Sequence, residues 1–278
     1  MILGNAAWGF RETPLEKQLE ITEAMGLSLL ELSIGNSPAD ALRLDATDKD
    51  MQKVKEMFKQ RGVDLLCGST GNDFTGEDAE SCRESANSVC MAIDMAAKMG
   101  IKYLRIFAGF SPVAEVVGPR WDTMIECIDI VAKHAREKGV ALAIETHGGV
   151  EKKSETECRH FHSTSTEPKA LEKLLAEIPE DVGINFDPAN LNAVGYEKPE
   201  EVFEKISGRV NYIHLKDFAP IEGSEYLTPA ACGEGPVDWR ALMDSLKNYE
   251  GPALIEYENT FDAEDGFKRS LTFLKSLA

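Results

Sequence analysis

The chain has 278 residues, with 30 Lys+Arg against 48 Asp+Glu and a formal charge of −18 at pH 7. That balance argues against a nucleic-acid partner, because such binding draws mainly on Lys and Arg neutralising phosphates. Hydrophobic residues make up 43% and charged residues 28%, a composition that supplies a core and excludes both a disordered tail and a membrane protein. No apolar run approaches the ~20 residues needed to span a bilayer. The opening Met-Ile-Leu-Gly-Asn lacks the basic region of a signal peptide, so a cytoplasmic address is the expectation. Six scattered cysteines without a Cys-x-x-Cys pair read as structural thiols. The acids and five histidines are then the candidate metal and proton-transfer groups.

In chain order, short apolar or β-branched runs at 2–8, 29–35, 63–69, 103–109, 141–147, 182–187, 210–216 and 253–258 read as strands. Each is followed by a helical pattern. Those at 47–61, 77–99 and 121–138 stop at Gly62, Gly100 and Gly139, the usual C-terminal signal. Eight strand–helix units in 278 residues come to about 35 residues per unit, close to the repeat of a barrel that typically has ~250 residues. No Gly/Ser/Pro-rich linker divides the chain. The expectation is an α/β protein, a single (β/α)8 TIM barrel in one domain covering 1–278. A doubly wound open sheet also alternates strands with helices, but neither of its glycine-rich phosphate loops occurs.

Successive side chains of a strand point to opposite faces. Leu30, Leu32 and Ile34 form one apolar set, as do Leu104, Ile106 and Ala108, then Val182, Ile184 and Phe186, then Ile213 and Leu215. These should face the helices. The other parity carries Glu31 and Ser33, Arg105, Glu145 and His147, Asn185 and Asp187, Tyr212, His214 and Lys216, Glu256 and Glu258. Ionisable groups aimed at one axis cost several kcal/mol each unless they pair, bind a metal or face a solvated mouth. Most sit late in their strands, where barrel active sites are built.

Four of them recur one per unit at the ends of consecutive strands: Glu145, Asp187, His214 and Glu256. Three carboxylates and one imidazole make a hard, mostly oxygen donor set, suited to one divalent ion, Mn²⁺ foremost, with Mg²⁺, Co²⁺ or Zn²⁺ acceptable. Arg105 carries a buried guanidinium that needs an anionic or carbonyl-bearing partner. The segment 148–166, with Glu151, Lys152, Lys153, Arg159, His160 and His162, lacks clear periodicity and reads as a lid. The segment 218–237 is a second long loop with a Gly-Glu-Gly turn. Trp8, ending the first strand, either stacks on a sugar or plugs the barrel; His134 lies on a helix, facing solvent.

The stretches Glu145-Thr-His147-Gly-Gly, Asn185-Phe-Asp187-Pro-Ala-Asn190, His214-Leu-Lys216-Asp217, Gly233-Glu-Gly235 with Pro236-Val-Asp-Trp239, and Glu256 resemble the xylose isomerase-like barrel superfamily of sugar isomerases and epimerases, over nearly the whole chain. The resemblance implies a divalent metal on Glu145, Asp187, His214 and Glu256, and a small-molecule carbohydrate substrate deprotonated beside a carbonyl through an enediolate. From the 3-epimerases it implies that Glu145 and Glu256 are the acid/base pair. Asn190 stands where those enzymes often carry a substrate-binding His, and Lys216 replaces their arginine-bearing loop. From the dehydratase and lyase branches it implies His147 as a base, with Arg105 and Lys216 polarising the substrate; read from the residues alone, His147 before Gly-Gly equally fits an anchor of that turn, and Lys216 a partner of Glu256 or Glu258. Trp8 and Glu151 complete the candidate substrate-binding set. An isomerase or epimerase is the leading expectation, a dehydratase or lyase of a keto-sugar, keto-glycoside or keto-cyclitol the second, and a non-catalytic carbohydrate-binding barrel the third. A homo-oligomer is compatible with all three.

Overall fold

The apolar alternation that defines the predicted runs is also what divides the protein into layers. The computed structural model describes residues 1–277. Its strands are β1 (Ile2–Asn5), β2 (Leu32–Gly35), β3 (Leu42–Arg43), β4 (Cys67–Ser69), β5 (Tyr103–Ile106), β6 (Ala141–Glu145), β7 (Gly149–Lys152), β8 (Cys158–Phe161), β9 (Gly183–Phe186), β10 (Val210–Leu215), β11 (Asp217–Pro220), β12 (Leu227–Ala230) and β13 (Pro252–Ile255). Nine of them form one curled, wholly parallel sheet in the order β1-β13-β10-β9-β6-β5-β4-β2-β3. Asn5, besides its place beside β13, donates its N–H to the Leu29 carbonyl (3.0 Å) and accepts from the Glu31 N–H (2.9 Å).

Between the strands run α1 (Leu15–Ala24), α2 (Asp48–Arg61), α3 (Ala79–Met99), α4 (Pro119–Lys138), α5 (Pro168–Glu177), α6 (Pro188–Ala193), α7 (Pro199–Ile206), α8 (Trp239–Ser245) and α9 (Ala263–Ser276). Thr47 and Asp50 close a reciprocal capping box on α2, and the Asp78 carboxylate accepts from the Glu80 and Ser81 N–H groups at the start of α3. Gly100 ends α3 at φ 85°, a left-handed turn that a side chain would strain, and Gly62 and Gly139 end α2 and α4 in the same way. Among the described residues no helix is long and apolar enough to cross a membrane.

Strand parity separates two apolar layers. Leu32, Ile34, Leu104, Ile184, Ile213 and Leu215 belong to the large core shared with the helices, while Ala6, Leu29, Cys67, Ala143, Tyr212 and Leu254 form a smaller cluster on the opposite face. Burying one such Leu or Ile gains ~1.5–3 kcal/mol, so a one-residue register slip would exchange apolar and ionisable faces at high cost. Every predicted strand run overlaps a strand, but each strand is shorter than its run, and β13 starts one residue before the run 253–258. His147, Asp187, Lys216 and Glu258 lie just beyond the last paired residue of their strands, where the chain leaves the sheet.

The two long loops depart from expectation. The segment 148–166 is no irregular excursion: β7 and β8 pair as an antiparallel hairpin, which meets the β11–β12 hairpin through the Leu227–Cys158 pair. Arg159 clamps this junction by pairing with Glu151 and with Glu225 on the other hairpin. Exposed pairs of this kind contribute ~0–1 kcal/mol each, so the four-stranded sheet is held together weakly. Its base is held strongly. Asp217 accepts from the N–H groups of Gly233 (3.1 Å) and Gly235 (3.2 Å) and from the Trp239 indole (2.9 Å) through one carboxylate oxygen, and from Phe218 N–H (3.1 Å) through the other. A Cβ at Gly235 would lie 2.0 Å from that carboxylate, so the Gly-Glu-Gly turn is built for its close approach. Asp217→Ala orphans the buried Trp239 indole and Phe218 N–H and frees the partly buried N–H groups of Gly233 and Gly235, at ~1–3 kcal/mol for a lost buried partner. The expected loss of unfolding free energy is about 3–5 kcal/mol in urea titration; a loss below ~1 kcal/mol would show that the loop finds other partners.

Candidate metal centre

Strands β6, β9, β10 and β13 are consecutive neighbours in the sheet, and each delivers one member of the quartet at or next to its end. Glu145 closes β6, His214 lies in β10, and Glu256 follows β13. Asp187 is oriented by its role as the cap of α6. Its Oδ1 accepts from Asn190 N–H (2.9 Å), and its own N–H donates to Thr146 Oγ1 (2.8 Å), leaving Oδ2 toward the cluster. One ligand atom from each of the four lies within 4.8 Å of all the others. His214 Nδ1 stands 3.5 Å from Glu145 Oε1, 3.8 Å from Asp187 Oδ2 and 3.4 Å from Glu256 Oε2. All four side chains are buried.

Charge and hydrogen bonding both fit a divalent cation here. Neither ring nitrogen of His214 has a hydrogen-bond partner, although buried polar groups are normally satisfied. Burial pushes the Glu145 carboxyl up, but His214 and Arg105 outweigh it and hold it at about 2. Burial likewise opposes Glu256, which His214 and Lys216 hold well below the ordinary carboxylate range. Asp187 is pushed up to about 7, first by burial and then by its carboxylate neighbours, against the pull of Lys216. His214 is driven the other way: burial disfavours its charge, yet Glu256 and Glu145 raise its pKa far above the usual value. The carboxylates thus compete for too little positive charge. Three oxygens and one imidazole nitrogen are the donor set of Mn²⁺, Mg²⁺ or Co²⁺, and Zn²⁺ accepts it.

Of the quartet, Glu145 and Glu256 border a cavity of about 630 Å³, while Asp187 and His214 lie behind them. Arg105 and His147 also border it. Arg105 Nε stands 3.2 Å from Glu145 Oε2, and its guanidinium lies over the Phe107 ring at 4.3 Å. His147 Nδ1 is 2.5 Å from the Gly148 carbonyl, which can only accept, so that nitrogen carries the proton and Nε2 keeps the lone pair. Burial lowers the His147 pKa, which keeps the ring neutral. The edges of Phe107 and Phe110, both 5.3 Å away between centroids, fix its orientation. Those two phenylalanines carried no chemical signal in the sequence.

Other expected substrate groups stand elsewhere. Lys216 lies outside the cavity wall: its Nζ is 3.0 Å from Asp187 Oδ2, 2.8 Å from Glu256 Oε2 and 2.8 Å from Glu258 Oε1. Asn190 is buried behind Glu145, donating from Nδ2 to its Oε1 at 3.0 Å. Glu151 is on the outer side of its hairpin, bound to Arg159 and to the Tyr226 hydroxyl, away from the cavity. Trp8 does border the cavity, at the rim, in a 3-10 turn following β1. From the hairpin, His160 reaches the cavity as a ring kept neutral by burial, its pKa lowered to about 3, with Cys158 Sγ 3.3 Å from its Nε2. His162 packs edge-on to Tyr196, and His134 is partly buried beside Asp94 at 3.0 Å. Glu31 was singled out only by its inward parity. It accepts from Tyr212 Oη (2.6 Å) and Ala7 N–H (2.9 Å) and lies 3.9 Å from His214 Nε2, behind the quartet.

Known proteins share this fold at low identity. The chain is 24% identical over 155 residues to inosose dehydratase of Glaesserella parasuis serovar 5 (strain SH0165), a match covering 50% of this chain and 48% of that protein; the chain thus spans about half the length of this curated relative. In three dimensions it is similar to the probable 3-DHS dehydratase AsbF of Bacillus anthracis, with a TM-score of 0.75, 14% identity and 99% of both chains covered. It is also similar to D-psicose 3-epimerase of Clostridium cellulolyticum H10, with a TM-score of 0.72, 13% identity and 100% and 99% of the two chains covered. Dehydratases and epimerases therefore share this architecture. A family model described as xylose isomerase-like TIM barrel matches residues 19–277, nearly the whole of the curled sheet and its quartet, and the chain belongs to that family.

Proposed function

We propose that the protein is a divalent-metal-dependent isomerase or epimerase of a small sugar, keto-sugar or polyol. One observation carries the reading: Glu145 and Glu256, from the two outer strands of the four that build the quartet, are the members that border the cavity. Glu145, Asp187, His214 and Glu256 would hold the ion, with Mn²⁺ the best match to the donors. When bound, it supplies Lewis-acid polarisation of a substrate carbonyl. The two glutamates then stand on different sides of a bound sugar, one to take the proton from the neighbouring carbon and the other to return one. Arg105 and Asn190 keep Glu145 in place and ionised. Lys216 does the same for Glu256 and also holds Glu258 in place. The supporting scaffold in this reading is a closed (β/α)8 barrel of one domain, supported by Asn5, which bonds to the 29–31 segment as well as lying beside β13.

A second reading has its own support. His147 presents an unprotonated Nε2 in a ring that burial keeps neutral, beside the cavity and two residues from Glu145. Such a base could take the proton while a substituent leaves from the next carbon, which makes the protein a dehydratase or lyase of a keto-sugar, keto-glycoside or keto-cyclitol.

Incubating the Mn²⁺-loaded protein with a panel of ketoses, keto-glycosides and keto-cyclitols in D₂O tests both. Deuterium appearing at a carbon next to the carbonyl, with the substrate returned or rearranged, is the expected result. Release of water or an aglycone marks the second reading. No exchange with any member of the panel leaves only a carbohydrate-binding barrel.

A further inference from the structure

Glu31 is a buried carboxylate that belongs neither to the quartet nor to the cavity wall. Its side chain is fully shielded from solvent, in the segment just before β2, and neither it nor Tyr212 borders the cavity. A carboxylate so placed is costly unless donors or cations meet it. Two donors do: the Tyr212 hydroxyl donates to Oε1 at 2.6 Å, and the Ala7 N–H to Oε2 at 2.9 Å. Each carboxylate oxygen accepts about two hydrogen bonds. The bond to Ala7 fastens the turn after β1, a structural task. Oε1, by contrast, keeps capacity beyond Tyr212, and the ring nitrogen that faces it is His214 Nε2, 3.9 Å away.

The two nitrogens of His214 face different ways. Nδ1 stands 3.4–3.8 Å from Glu145, Asp187 and Glu256 and is the ligand nitrogen of the quartet. Nε2 is on the Glu31 side, buried and without a hydrogen-bond partner. A nitrogen that gives its lone pair to a cation carries no proton, so a neutral ring must carry its proton on the other one. A buried N–H of that kind needs an acceptor. Metal-bound histidines commonly find it in a carboxylate, which sets the tautomer and the orientation of the ring. Tyr212 and His214 are two residues apart in β10, on one face of the strand, with ring centroids 5.5 Å apart. The hydroxyl that holds Oε1 and the ring that needs it therefore arrive from the same strand.

We propose that Glu31 is a positioning residue of the metal centre: with the ion bound, its Oε1 accepts the hydrogen bond of His214 Nε2–H and so holds the ring with Nδ1 toward Glu145, Asp187 and Glu256. At 3.9 Å the two atoms are about 1 Å beyond hydrogen-bond length, so the contact is one that the loaded protein closes. Tyr212 acts through Glu31 by fixing the same oxygen. The inference rests on the metal-centre reading and adds to it a residue from outside the four strands that carry the quartet.

Calorimetric titration of chelator-stripped protein with Mn²⁺ compares wild type with Glu31→Gln, Glu31→Asp and Tyr212→Phe. Glu31→Gln leaves one amide oxygen for three donors and should weaken Mn²⁺ binding by roughly 10–100-fold. Glu31→Asp keeps the charge but draws the oxygen away from Nε2, and should weaken binding as well. Tyr212→Phe keeps the ring and the packing, and should cost roughly two- to tenfold, the worth of one hydrogen bond. Proton NMR of the Co²⁺-loaded protein reads the contact at the proton itself. The quartet has one imidazole, so wild type should show one hyperfine-shifted ring N–H that exchanges with D₂O, and this signal should move or broaden in Glu31→Gln. A Glu31 that only fastened Ala7 would lower the melting temperature of the stripped variants and leave both the Mn²⁺ dissociation constant and the N–H signal unchanged. That result overturns the positioning role while the metal centre stands. Glu31→Asp binding Mn²⁺ as tightly as wild type overturns it too, since charge alone would then suffice. Wild type that binds neither Mn²⁺ nor Co²⁺ overturns the metal centre, and this contact with it.

Discussion

Protein stripped with a chelator is expected to lose all turnover and to melt about 10 °C below protein saturated with Mn²⁺. The size follows from mass action: an ion at a thousand times its dissociation constant stabilises the folded state by ~4 kcal/mol, and 1 kcal/mol moves the melting temperature of a domain this large by ~2–4 °C. The physical source of the effect is the quartet itself. Without an ion, three buried carboxylates face one another and the two nitrogens of His214 lack partners. Folding of the unloaded chain must bear that repulsion, which a divalent charge removes. His214→Gln should abolish the Mn²⁺-dependent rise in melting temperature, whereas Asp48→Asn, which removes an exposed acid paired with Lys98, should leave it intact. Differential scanning calorimetry with and without Mn²⁺ or Co²⁺ checks this. An unchanged melting temperature on adding either ion would remove the basis for metal-dependent catalysis.

The quartet was legible because each of its members could be assigned a face from its own few neighbours. Strand parity is local, so Glu145 among Ala143 and Ile144, or His214 between Ile213 and Leu215, announces its direction without knowledge of the rest of the chain. The order of the strands then follows from right-handed βα connections, which bring successive ends together. Contacts between distant segments left no such trace. Tyr212 and Glu31 are 181 residues apart, and nothing local marks either as the other's partner. The same holds for Arg159 and Glu225, whose pairing joins two polar hairpins into a sheet that has no apolar period to read. Lys216 shows the limit most clearly. Its inward parity was correct, but whether an inward ammonium meets a ligand or a carboxylate depends on Asp187, Glu256 and Glu258, which arrive from two other strands. Asn190 is the same case: a helix position in sequence, it becomes a fixed donor to Glu145 only once β6 and α6 are side by side.

Glu145→Gln should reduce deuterium exchange and turnover by at least ~10²–10⁴-fold, the contribution of a positioned general base, while Mn²⁺ binding persists through the amide oxygen. His147→Asn separates the two proposed chemistries. If Glu145 and Glu256 move the carbon-bound proton, the neutral His147 ring has only the hydroxyl protons of the substrate within its reach, and exchange at carbon continues while net conversion slows. If His147 is the base, exchange and elimination disappear together. Asparagine retains a hydrogen-bond donor near Gly148 and the small volume between Phe107 and Phe110, so the variant changes the proton acceptor more than the packing. The pair is read by rapid-quench measurement of exchange and product on the same samples, with melting temperature as the control for folding. A fully active Glu145→Gln protein would withdraw proton transfer from Glu145. A fully active His147→Asn protein would reduce that ring to an anchor for the Gly148 turn and leave the glutamates as the remaining acid and base.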